Sequence, residues 1–121
     1  METYKIEYEA FLATYAKGQT NGEDVGAVIA RMAQYYTELN IAYGKALMAY
    51  NVAARTIEES SDDETGKPIS SSKAKVVAAA TPQSEDLITV KVHLENIEQI
   101  LNALKSLQRG IMFEMNATGH M

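Results

Sequence analysis

The chain has 121 residues, 46% of them hydrophobic and 22% charged, with a net charge of −5, no Cys and no Trp. That length and composition fit one folded domain, the missing cysteines exclude disulfides and thiolate metal sites, and the acidic balance argues against broad electrostatic binding to nucleic acid while leaving room for a local basic patch. Apolar runs are short and broken by charge, and no basic region followed by an apolar core opens the chain, so the expectation is a cytoplasmic protein without a membrane span.

Residues 4–17 place Tyr4, Tyr8, Phe11 and Tyr15 at a spacing of 4,3,4, which predicts a short helix with an aromatic stripe ended by Gly18. Asn21 is a cap for the next helix, followed by an acidic first turn at Glu23 and Asp24. That helix, expected over residues 22–59, carries a heptad ladder of Val25, Ile29, Met32, Tyr36, Leu39, Tyr43, Ala46, Tyr50, Ala53 and Ile57. An apolar step every 3.5 residues keeps one stripe facing a partner helix along its whole length. Tyr43 and Tyr50 alternate with Ala46 and Ala53, so large side chains neighbour small ones and a partner can approach closely. Most of the tyrosines are expected to bury their rings while keeping their hydroxyls at a wet edge.

Residues 60–69 read as an acidic loop, the segment most expected to be mobile, because Asp62, Asp63, Glu64, Gly66 and Pro68 cluster with no apolar period. A short helix is expected over residues 70–81, with a serine cap at its start and Thr81 and Pro82 stopping it. Ser84 with Glu85 and Asp86 then reads as the start of a second long helix, residues 84–115, ahead of a frayed tail at 116–121. Its ladder runs Leu87, Val90, Leu94, Ile97, Leu101, Leu104, Gln108, Ile111 and Met115. The two ladders span about 50 and 43 Å at the α-helical rise, close enough in length to lie side by side.

The expected fold is therefore all-α, an antiparallel pair of long coiled-coil-like helices with a short N-terminal helix and a short connecting helix, within one domain. Ile88, Val92, Ile100 and Leu107 form a second apolar stripe on the last helix, which calls for a second packing neighbour, either the N-terminal helix or another subunit. A homo-oligomer is expected on this ground. Gln108 interrupts its ladder; a polar seam residue can fix register or subunit number, and the alternative is an exposed helix end. The seam residues expected to carry helix packing or assembly are Tyr36, Leu39, Tyr43, Tyr50, Leu94, Ile97, Leu101, Leu104, Gln108 and Ile111.

Catalytic chemistry finds little support. His93 and His120 are the only histidines, the first expected as a solvated or rim residue. Glu95 and Glu98 lack the Glu-x-x-His pairing of carboxylate-bridged metal bundles. A calcium loop through Asp62, Asp63, Glu64 and Gly66 fails because Ser61 and Ser72 would hold the first and twelfth ligand positions. No phosphate loop or nucleophile motif is present, and the expectation is a protein with no enzymatic activity, cofactor or metal. The best binding candidate is the helix start with Lys67, Ser70, Ser71, Ser72, Lys73 and Lys75, where lysines and hydroxyls surround backbone N–H groups that favour a phosphate or nucleic acid. The alternative is a plain serine cap whose lysines balance the acidic loop.

At this helix start, Gly66-Lys67-Pro68-Ile69-Ser70-Ser71-Ser72-Lys73-Ala74-Lys75, and again over residues 93–110 from His93-Leu94-Glu95 to Gln108-Arg109-Gly110, the chain resembles short helical proteins of tailed bacteriophages. The resemblance implies expression in an infected bacterial cytoplasm. Proteins of that sort either accompany DNA replication and recombination or block a host defence. The reading placed first is a small helical protein that inhibits or sequesters a host defence component, either a protein or a phosphorylated ligand. Two alternatives accompany it: an accessory protein of phage DNA replication or recombination, and a structural assembly module.

Overall fold

The computed structural model describes residues 3–119, with side chains as far as Glu114. Among these residues there are four helices, α1 (Thr3–Ala16), α2 (Gly22–Glu58), α3 (Ser71–Ala79) and α4 (Pro82–Gly119), and the only ladder-like pairing is an isolated antiparallel bridge between Ser61 and Pro68. The two long helices pack closely, giving the expected all-α helical hairpin. No helix among the described residues is long and apolar enough to cross a membrane.

Local chemistry sets each boundary. At the end of α1 the Gln19 N–H donates to the Thr14 carbonyl and the Gly18 N–H to the Tyr15 carbonyl, with Gly18 at a φ of 71°. These are the two bonds of a Schellman cap, and its left-handed residue is glycine because a Cβ is strained there. Asn21 and Asp24 cap α2 reciprocally: the Asn21 side-chain oxygen accepts from the Asp24 N–H at 2.9 Å, and the Asp24 carboxylate accepts from the Asn21 N–H at 3.0 Å. Ser70 caps α3 by accepting from the Lys73 N–H at 3.2 Å.

The start of α4 differs from the sequence expectation. Pro82 opens the helix instead of merely ending the previous one, and Thr81 is the cap, its hydroxyl accepting from the Ser84 N–H at 3.2 Å. A proline fits the first helical position because the missing N–H would have no helical partner there. Ser84 lies inside the helix and is buried. At the other end the α4 backbone stays helical to Gly119, past the expected fraying point at Asn116, while the side chain of Met115 and residues His120 and Met121 lie outside the described residues.

The chain divides into two compact units, one of Met1–Glu38 with His93–Met121 and one of Leu39–Val92. The first holds α1 and the larger core, with Tyr4, Phe11, Val25, Met32, Leu94, Ile97 and Leu104 buried. Within it α2 and α4 run antiparallel: Tyr36 donates to Glu98 at 3.3 Å, Gln108 lies over Gly26, and Ile111 lies beside Gly22. The second holds the loop and α3, and its buried residues are smaller: Leu39, Ala74, Ala78, Ser84 and Val90. The ladder positions Tyr43, Ala46, Tyr50, Ala53 and Ile57 in this unit are only half-buried.

Candidate functional sites

In the first unit α1 lays its aromatic stripe against both long helices, burying Tyr4 and Phe11, half-burying Tyr8 and leaving Tyr15 exposed but stacked on Phe11 at 6.3 Å. α1 is thus a packing neighbour of α4 in this unit, as the second apolar stripe allows. The Tyr4 ring meets the His93 ring edge-on at 5.6 Å and tilts against Tyr35 at 6.3 Å. Its hydroxyl lies 2.6 Å from His93 Nδ1 and 3.5 Å from Asn96 Nδ2. An amide nitrogen can only donate, so the Tyr4 oxygen accepts from Asn96, and the same hydroxyl is hydrogen-bonded to His93 Nδ1. His93, expected as a solvated or rim residue, is half-buried and hydrogen-bonded to Tyr4. This cluster borders a groove of about 370 Å³ lined by Tyr4, Lys5, Tyr8, Asn96, Gln99 and Ile100.

A second polar cluster ties α1 to α2. Arg31 bonds Glu7 at 2.9 Å and the Tyr35 hydroxyl at 3.1 Å, with its guanidinium over the Tyr35 ring. The Tyr35 hydroxyl, followed by the Arg31 guanidinium, holds the Glu7 carboxyl below its ordinary value, and Glu7 in turn raises both partners. Beside it lies a small cleft floored by Ala27, Val28 and Met32.

Gln108, weighed as a seam polar residue or an exposed end, is half-buried in a hollow with Asn21, Gly22, Glu23, Gly26 and Met112. A Cβ at Gly26 would lie 3.3 Å from the Gln108 amide nitrogen. The side chain therefore packs on the backbone of the facing helix, at a place where glycine makes room for it. Of the other seam residues in this unit, Leu94, Ile97 and Leu104 are buried, while Tyr36, Leu101 and Ile111 are half-buried.

The lysine-rich helix start belongs to the second unit, where the structure separates its members. Lys73 turns back to the acidic loop, bonding Asp62 at 2.8 Å with Glu64 at 3.9 Å. The Lys73 hydrogen bond, aided by the Glu64 N–H, holds the Asp62 carboxyl below its ordinary value, and Asp62 raises Lys73. The loop is laced internally: Asp62 N–H donates to the Lys67 carbonyl, Gly66 N–H to the Asp62 carbonyl and Ile69 N–H to the Ser60 carbonyl, with Gly66 at a φ of 69°. Ser70 is occupied as the cap, and Ser71, Ser72, Lys67 and Lys75 are exposed. Two of the three lysines thus face solvent, and the third pairs with Asp62 of the loop. Among the described residues no three His, Asp or Glu side chains gather as a metal ion would require.

Sequence reasoning missed an outward stripe on α2. Ile41, Met48 and Val52 are 58%, 70% and 63% exposed, and they lie on the side of the helix away from the Leu39–Tyr43–Ala46–Tyr50 ladder. Ile88 and Val92 of α4 and Val76 of α3 are also exposed in this unit. No family model, curated protein or solved structure matches the chain.

Proposed function

We propose that this is a non-enzymatic helical binding protein that assembles with copies of itself and acts by occupying a partner, in the manner of phage proteins that sequester a host component. The observation that carries the reading is the imbalance within the second unit. Its buried residues are mostly small while Ile41, Met48, Val52, Val76, Ile88 and Val92 point outward. Each such side chain, moved fully from water into a packed contact, contributes about 1.5–3 kcal/mol. Ile41, Met48 and Val52 share one face of α2, and apolar side chains grouped on a surface mark an interaction site more often than scattered ones do.

The likeness of residues 66–75 and 93–110 to helical phage proteins is compatible with a host component as the target, and equally with a partner in phage DNA metabolism. The Asp62–Lys73 pair weighs against a phosphate or nucleic-acid role for the basic helix start, because one of its three lysines already has a carboxylate partner. Light scattering across a concentration series tests the reading. The mass should rise above the 13.3 kDa of one chain in the micromolar range, and Met48→Glu should lower it. A monomer at every concentration would overturn self-association.

A further inference from the structure

We propose that the outward face of α2 is a self-complementary seam on which a second copy docks antiparallel about a two-fold axis centred between Lys45 and Met48; this rests on the self-association reading. The exposed residues Glu38, Ile41, Lys45, Met48, Val52 and Arg55 follow one another along α2 at 3,4,3,4,3, the stagger of a coiled-coil stripe. In a two-fold interface the same patch serves both partners, so each residue has a fixed counterpart. With the axis at this place Ile41 meets Val52 of the second copy, twice. Lys45 lies over the second copy's Met48, its methylene stem covering the thioether while the ammonium reaches water. Glu38 meets Arg55 of the second copy, again twice.

The charges select this arrangement over its competitors. A parallel, in-register pair sets Glu38 on Glu38, Lys45 on Lys45 and Arg55 on Arg55, three like-charge contacts. Sliding the antiparallel pair by one heptad sets Lys45 against Arg55 and Ile41 against Glu59 in one direction, and Arg31 against Arg55 and Ile41 against Lys45 in the other. Like charges brought together exclude wrong partners more strongly than correct pairs reward right ones. None of Glu38, Lys45 and Arg55 is in a salt bridge within the chain among the described residues. They are exposed, so their charges are available to a partner.

Charge reversal provides the test, with helix content and melting followed to show that each variant folds. Sedimentation equilibrium at low salt should show that Glu38→Arg and Arg55→Glu each raise the dissociation constant about 10-fold, since each creates two like-charge contacts. The double reversal Glu38→Arg with Arg55→Glu should restore wild-type affinity. If the wild type associates and the double variant stays as weak as the singles, this register is wrong while self-association stands. If the wild type is monomeric throughout, both fall. Association unchanged in all three variants would place the interface on another face and overturn the proposal.

Discussion

Gly18 shows how a single residue ends an element. Its φ of 71° and the two cap bonds from Gly18 and Gln19 close α1. No neighbouring atom would obstruct a Cβ there, so the whole penalty of Gly18→Ala is backbone strain, about 1–2 kcal/mol for a left-handed residue. Chemical denaturation should show that loss, and an unchanged midpoint would mean that the turn is not formed in solution. Asp62 offers a pH-dependent counterpart. Its carboxyl is held low by Lys73, so the unfolded chain binds the proton more readily. The pair's contribution through Asp62 is therefore complete above the ordinary aspartate value and disappears as pH falls through the lowered one. Lys73 is raised, so its side of the contribution is complete below the ordinary lysine value and disappears as pH rises through the raised one. Melting temperatures followed from neutral into acid should fall less for Asp62→Asn than for the wild type. An equally steep acid limb would remove the pair from the account of stability. Glu7, held low by Tyr35 and Arg31, supplies a second acid-sensitive component in the first unit that Glu7→Gln would remove.

At the scale of elements, the helices were legible where apolar period and cap chemistry agreed. Asn21 followed by Asp24 and Ser70 followed by Lys73 mark starts that the hydrogen bonds reproduce. The start of α4 was displaced because two signals compete there: Ser84 with an acidic turn looks like a cap, but Thr81 followed by a proline at the first helical position begins the helix sooner. The Tyr4–His93 contact joins residues 89 positions apart, and no local period announces such a pairing. The outward stripe of α2 was hidden by Lys45, which breaks an apolar count although its stem suits a stripe. Gly110 gives a test of helix propensity by itself. It lies within α4 with nothing near its missing Cβ, so Gly110→Ala should stabilise by about 0.8–1 kcal/mol, the propensity difference in an exposed helix interior. Thermal unfolding reads this directly. A destabilised variant would show that this glycine serves a close contact outside the chain.

For the whole molecule, the contrast between the two units predicts unequal local stability. Resistance to local opening follows buried apolar packing. The first unit encloses Tyr4, Met32, Ile97, Leu104 and Val25, all fully buried, whereas the second relies on Leu39, Val90 and two alanines of α3. Because α2 passes through both, one helix should carry two exchange rates. In dilute protein, amide hydrogen exchange should be slow around Val25–Met32 and distinctly faster between Tyr43 and Ile57, although all are helical. Raising the protein concentration should then slow exchange over the Ile41–Arg55 stretch while leaving the Val25–Met32 stretch as it was, because binding stabilises the folded state only where the bound surface suppresses opening. Met48→Glu should abolish that concentration dependence and leave the first unit's rates intact. Uniform protection along α2 in dilute protein would show that the half-buried ladder of the second unit is sufficient on its own. The apolar residues outside it would then lose their role as the missing part of its core.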